Sequence, residues 1–217
     1  MIVVGGMIGA GKTTVATLIG QRLGSEVFYE NVDDNPLLPL FYQEDEQAQA
    51  AKRYPFLLQL TFLSSRYRSI KQALTHENNV LDRSIYEDWY FCKTNKDLGR
   101  ISELEFMVYE DLLANALADL ASSSTKTPDL LVYLHGSFET IMYRIGLRGR
   151  DFEQDDALVD YYHTLWSGYD DWIQQHFTKE HILPINIDDY DFIHRPEDID
   201  CIMARINHSL DTLRTDT

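Results

Sequence analysis

Eight residues near the start of the chain, Gly6-Met7-Ile8-Gly9-Ala10-Gly11-Lys12-Thr13, carry the spacing G-x-x-x-x-G-K-[ST]. Glycine lets backbone N–H groups curl around phosphate oxygens. A helix opening at Lys12 adds its positive end to the same anion. In such a loop the lysine reaches the β- and γ-phosphates and the Thr13 hydroxyl binds Mg²⁺. Thr14 follows as part of the same phosphate-facing turn. The loop implies ATP as ligand but leaves open what the nucleotide is used for.

Other residues narrow that use. A GTPase would read its base with Asn-Lys-x-Asp, and Asn95-Lys96-Asp97-Leu98 has the wrong spacing. An acidic strand end, Val80-Leu81-Asp82, runs into Arg83-Ser84. A carboxylate next to an arginine beside phosphates suits a small kinase. Asp82 would hold Mg²⁺, and Arg83 would touch the reacting phosphate or the acceptor hydroxyl. Taken alone, such an aspartate is equally a helix cap. Glu30 ends another apolar run, where a carboxylate can accept a proton from an attacking hydroxyl.

Arg144, Arg148 and Arg150 form the densest basic cluster of an acidic chain. Arg144 and Arg148 are four apart and share a helix face. Gathered like charges repel unless an anion lies between them, so the cluster reads as a lid over transferring phosphates, with Gly146 and Gly149 permitting its movement. Gln59 and Arg66 are seven apart on one helix face. Gln59 can donate and accept together, which suits a nucleobase edge. A polar pair on an amphipathic helix ordinarily faces water.

The elements that must position these groups follow from hydropathy. Five short apolar runs read as strands buried on both faces: 2–5, 26–29, 79–82, 130–135 and 182–187. Helical spacing marks 12–23, 55–75, 102–122, 138–147, 157–177 and 196–213. On the 55–75 segment the apolar stripe is Leu57, Leu60, Leu63, Tyr67, Ile70 and Leu74. Alternation of strands and helices predicts an α/β doubly wound parallel sheet with right-handed crossovers, as one domain over residues 1–217. Ligands then bind at the carboxyl ends of the strands, where Gly6, Glu30 and Asp82 fall. The polar stretch 122–127 reads as a loop before a strand. Tyr161, Tyr162, Trp166, Tyr169, Trp172 and Ile173 form an aromatic stripe suited to core or interface. Trp89, beside Asp88, is a weaker candidate for lining a pocket.

Composition sets outer limits. The formal net charge of −16 argues against nucleic acid as a partner but permits a local triphosphate site. Two cysteines, Cys92 and Cys201, build no disulfide framework. No signal segment and no apolar run of about 18 residues is visible, so no membrane association and a cytoplasmic location are expected.

The order of P-loop, Tyr29-Glu30, Asp82-Arg83-Ser84, Arg148-Gly149-Arg150 and Glu153 resembles the deoxynucleoside kinase family of the deoxycytidine/deoxyguanosine/deoxyadenosine type. The similarity runs from Ile2 to about Phe192. The resemblance implies Glu30 as general base for the 5′-hydroxyl, Asp82 as the Mg²⁺-associated acid and Arg83 near the 5′-oxygen. It implies Gln59, Arg66 and Asp88 at the acceptor base, and Tyr42 with Glu153 at the sugar 3′-hydroxyl. Arg144, Arg148 and Arg150 match the lid arginines. The stretch 189–192, with Asp191 and Phe192, matches the loop around the donor base. The family's helical-bundle dimers imply a homodimer through 55–75 and 102–122.

Three departures stand out. Asp82 replaces the usual glutamate, the stretch between Tyr42 and Gln59 is longer than in animal members, and Phe152 replaces a common lid acid. The expectation is ATP-dependent 5′-phosphorylation of a deoxynucleoside for nucleotide salvage, deoxyadenosine favoured over deoxyguanosine or deoxycytidine. The alternatives are a thymidylate-type monophosphate kinase and a non-catalytic nucleotide-binding module.

Overall fold

The computed structural model describes every residue except 31, 33, 34, 123–129, 216 and 217. The chain forms β1 (Ile2–Gly6), α1 (Lys12–Leu23), β2 (Val27–Phe28), α2 (Leu37–Gln43), α3 (Glu46–Lys52), α4 (Tyr54–Ala73) and β3 (Val80–Asp82). It continues with α5 (Ile85–Asp97), α6 (Glu103–Ser122), β4 (Leu130–His135), α7 (Phe138–Arg148), α8 (Val159–His176), β5 (Ile182–Asn186) and α9 (Pro196–Thr215). The predicted loop at 122–127 lies, beyond Ser122, outside the described residues.

The five strands make one sheet in the order β2-β3-β1-β4-β5, and every pairing is parallel. All of β1 and β3, and β4 through Leu134, are buried, which is why these runs read as continuously apolar rather than alternating. The chain leaves β1 toward β3 and β2 on one side and toward β4 and β5 on the other. The crevice of an open α/β sheet therefore opens above β1 and β3. Glycine and polar residues, which end strands, stand at that edge.

Two features depart from the sequence-based expectation. Helices α2, α3 and α5 were not foreseen. The first two are only seven residues long, too short for hydrophobic periodicity to register. The third hides its apolar stripe among buried polar residues, Glu87, Asp88, Thr94 and Asn95. The inward face of α4 also differs from the predicted stripe. Leu58, Gln59, Leu63, Arg66, Ile70 and Ala73 point inward, whereas Leu57 is exposed. Gln59 and Arg66, each 3% exposed, are thus wall rather than wet face. The aromatic stripe of α8 is core: Tyr161, Tyr162, Tyr169, Trp172 and Ile173 are all buried, and Trp166 packs against them partly covered.

Candidate active site

The loop between β1 and α1 takes its shape from glycine. Gly6 has φ 145°, and a Cβ there would meet the Leu134 carbonyl oxygen at 2.5 Å. Gly11 stands in the left-handed region at φ 91° where α1 begins. Ile8, Gly9, Gly11, Lys12, Thr13 and Thr14 line a cavity of about 960 Å³. Gly6, Met7 and Ala10 lie behind that surface as buried frame. Lys12 is itself buried, and its Nζ donates to the Met7 carbonyl at 3.0 Å. Burial, with the Arg83 charge added, lowers its pKa to about 8, against the pull of Asp82, Glu30 and Glu87.

Asp82 ends β3 under this loop. Its Oδ2 accepts from the Thr13 hydroxyl at 2.6 Å. Its Oδ1 is buried and has no hydrogen-bond partner. Burial raises its carboxyl pKa, opposed by Lys12 and assisted by Glu30. An orphan carboxylate oxygen beside a threonine hydroxyl fits a hard divalent cation, which takes oxygen ligands. Thr13 and Asp82 are the residues that would hold Mg²⁺.

The acceptor side is an ion network assembled from four elements. Arg66 on α4 donates to Glu30 Oε1 at 2.7 Å, to the Asp82 carbonyl at 2.6 Å and to Asp88 Oδ2 at 3.1 Å. Arg83 Nε lies 3.0 Å from the same Glu30 oxygen. That N–H is misaligned and forms no hydrogen bond, so the attraction is between charges alone. The Arg83 guanidinium also covers the Phe91 ring at 4.6 Å. Burial would raise the Glu30 carboxyl, but Arg83, Arg66 and Lys12 outweigh it and hold the pKa at about 2. Asp88 goes the other way: burial lifts it to about 6 despite Arg66.

Glu30, Gln59, Arg83 and Asp88 face the cavity together with Val32, Leu38, Phe41 and Tyr161. Arg66 is not part of its lining; it stands one layer behind, holding Glu30 and Asp88. Tyr42 lines the cavity and stacks on Phe152 at 5.7 Å. Trp89 lies elsewhere, donating to Glu110 and packing on Phe106.

The segment predicted as a lid, about 144–154, begins on the last turns of α7 and runs on past Gly149, which closes that helix. Gly146 lies inside the helix rather than at a hinge. Glu153 is buried and pairs with Arg148 at 2.5 Å and with Arg150 at 3.5 Å. Arg144 instead donates to the carbonyls of Ala10 and Ile187, at 3.1 Å each. Burial lowers its pKa, partly offset by Asp188 and Asp191. All four residues line the cavity, and at its far end stand Tyr190, Asp191 and Phe192. Asp191 fixes that end by accepting from the N–H groups of Ile193 and His194, both at 3.1 Å. Asp189 accepts at its carbonyl from Arg195 and donates its N–H to the Asn186 carbonyl.

Glu87 was overlooked in the sequence. It is fully buried and touches both the phosphate loop and the Arg83-Ser84 turn. Its signal was present, since Ser84-Ile85-Tyr86-Glu87 is the capping-box pattern S-x-x-E.

A parallel α/β sheet with a phosphate loop after β1, an acidic end to β3 and arginines across the cleft defines a P-loop phosphotransferase. A family model described as deoxynucleoside kinase matches residues 2–211, and the chain belongs to that family. A deoxyguanosine kinase of Lactobacillus acidophilus is 43% identical over 209 residues, covering 95% of this chain and 89% of that protein. A deoxyadenosine kinase of the same organism is 43% identical over 196 residues, covering 89% and 88%. The solved deoxyadenosine kinase from M. mycoides with bound dATP superposes with a TM-score of 0.76 at 29% identity, covering 95% of this chain and 98% of that one. The chain is thus a deoxynucleoside kinase. The monophosphate-kinase and non-catalytic alternatives fall away.

Proposed function

We propose that the enzyme transfers the γ-phosphoryl group of ATP to the 5′-hydroxyl of a deoxynucleoside, with deoxyadenosine preferred, as a step of nucleotide salvage. The observation that carries this reading is the single cavity surface on which Lys12 and Thr13 stand at one side and Glu30, Arg83, Gln59 and Asp88 at the other.

Glu30 orients the 5′-hydroxyl and takes its proton. A carboxylate held at about 2 is a weak base, so the proton moves late, after the bond to phosphorus has begun to form. A loose transition state tolerates this, because the attacking oxygen gains acidity only as it bonds. Lys12, Arg83 and the lid arginines Arg144, Arg148 and Arg150 meet the charge on the transferring group. Mg²⁺ held by Thr13 and Asp82 would neutralise phosphate oxygens as they enter. Tyr42 and Glu153 serve the sugar 3′-hydroxyl, and the far end with Asp191 and Phe192 serves the donor base.

The preference for adenine rests on hydrogen-bond pattern. The Gln59 amide donates to a ring nitrogen and accepts from an adjacent exocyclic amine, whose second proton suits the Asp88 carboxylate. Adenine presents that edge at N1 and N6, and cytosine at N3 and N4. Guanine places the O6 acceptor there, against a carboxylate. The curated relatives include deoxyguanosine, deoxyadenosine and deoxyadenosine/deoxycytidine kinases, so the base is a matter for direct assay. Initial rates with the four deoxynucleosides and ATP should give the highest kcat/KM for deoxyadenosine; the highest value for thymidine would overturn the reading of Gln59 and Asp88.

A homodimer is proposed on a separate observation. Leu104 (67% exposed), Met107, Val108 and Leu112 of α6 form an apolar face with no cover among the described residues. Light scattering should return twice the 25.2 kDa of one chain.

A further inference from the structure

The carboxylate of Glu87 takes no part in any step above, yet it is fully buried within the catalytic region. Its Oε1 accepts from the Gly6 N–H at 2.7 Å and from the Tyr169 hydroxyl of α8. Its Oε2 accepts from the Ser84 N–H at 2.7 Å. Three neutral donors from three separate elements thus converge on one side chain.

Its place in the sheet explains the arrangement. The last rung between β3 and β1 is the Arg83 N–H donating to the Val4 carbonyl at 2.9 Å. Beyond it β3 has ended while β1 runs on to Gly6. Backbone groups alternate sides along a strand, so the Gly6 N–H faces the side that β3 has vacated. Ser84 has already turned away to cap α5. The Glu87 carboxylate bridges the gap, joining the first N–H of the phosphate loop to the first N–H after Arg83.

What it secures there is strained. Arg83 has φ 84°, one of two non-glycine residues with positive φ among the described residues. Such a backbone is costly and persists only where the surroundings over-determine it. The backbone fixed points around Arg83 are the Val4 rung and the bond from Arg66 to the Asp82 carbonyl before it, and the Ser84–Glu87 bond after it. We propose that Glu87 is a positioning residue: it holds the Arg83 guanidinium against Glu30 and in register with the phosphate loop.

The inference rests on the proposed role of Arg83, and a double-mutant cycle separates the two. In Glu87→Gln the side chain keeps its shape but turns an NH2 toward one of the three donors. Its kcat is expected to fall at least tenfold, with KM for deoxyadenosine within about threefold of the parent. In the Arg83→Lys background the same change should lower kcat by less than twofold, because the group it positions is already gone. Glu87→Asp keeps the charge but cannot span Gly6 and Ser84 together, and it should behave like Glu87→Gln. That variant and Tyr169→Phe carry the same cycle should Glu87→Gln not fold.

Normal kcat in Arg83→Lys would sink the role of Arg83 itself. With Arg83→Lys impaired, either of two results overturns the positioning role of Glu87. One is an unchanged kcat in the Glu87 variants. The other is a loss that multiplies with that of Arg83→Lys, as general destabilisation would give.

Discussion

The two sides of the cleft are built by opposite means. The phosphate side is local: Gly6 to Thr14 are contiguous, and in the proposed reading backbone N–H groups and one lysine hold the phosphates. The acceptor side is assembled from far apart, with Glu30, Arg66, Arg83 and Asp88 meeting as alternating charges. A loop of backbone donors tolerates change in the side chains around it. A buried charge network does not, because removing one member leaves another unpaired in low dielectric. The largest mutational effects should therefore fall on the acceptor side.

Glu30→Gln tests that asymmetry most strongly. The amide cannot take the 5′-hydroxyl proton and no longer balances Arg66 and Arg83. A fall in kcat of about 10²–10⁴ is expected, with ATP affinity measured by calorimetry close to the parent. Near-normal turnover would show that proton acceptance at Glu30 is dispensable and that the network is structural only.

Arg66→Ala asks whether a residue one layer behind the cavity matters as much as those on it. Asp88 would lose its partner and Glu30 one of two. The expected cost is about 3–5 kcal/mol of stability, read as a drop in Tm of about 10 °C. A change below a few degrees would mean that Arg83 alone suffices to balance the cluster.

Asp88→Asn sharpens the comparison from the side of specificity. The amide keeps the size of the carboxylate but offers a donor where guanine places O6. The kcat/KM for deoxyadenosine should fall about tenfold, and the ratio of deoxyguanosine to deoxyadenosine should rise. KM for ATP should not move. An unchanged ratio would show that Asp88 supports Arg66 without reading the base.

The same division decides what could be read from the sequence. The phosphate loop was legible because its function follows from residue types at fixed spacing within one turn. The sheet was legible because strands buried on both faces are apolar throughout. Arg66 shows the opposite case. Its spacing from Gln59 placed both on one face of a helix, but nothing local said that the face was inward. That depends on Glu30 and Asp88, 36 and 22 residues away, arriving to neutralise it. Helix α5 went unseen for a related reason: four of its buried positions are polar, and Glu87 and Asp88 find partners on other elements, while Thr94 and Asn95 bond back to Tyr90 and Phe91 within the helix. Gly146 lies within α7, and a glycine in a helical stretch carries no sign in the sequence of whether the helix bends there.

Lys12 offers the finest test, because it sets the phosphate side against the acceptor side by charge alone. Its pKa of about 8 in the free protein reflects burial and the nearness of Arg83. Bound phosphates favour the charged ammonium and raise that pKa, so ATP binds the protonated form. Below about pH 8 the lysine is already charged and the Kd for ATP should be flat. Above it, each pH unit removes tenfold of the binding form, and Kd should rise roughly tenfold between pH 7.5 and 9. Titration of ATP itself is complete below this window. Lys12→Ala should bind more weakly at every pH and lose the slope. A flat profile in the parent would place the lysine pKa in the free protein well above 9. Burial and Arg83 would then be outweighed by Asp82, Glu30 and Glu87, and the acceptor-side carboxylates would be tuning the phosphate side.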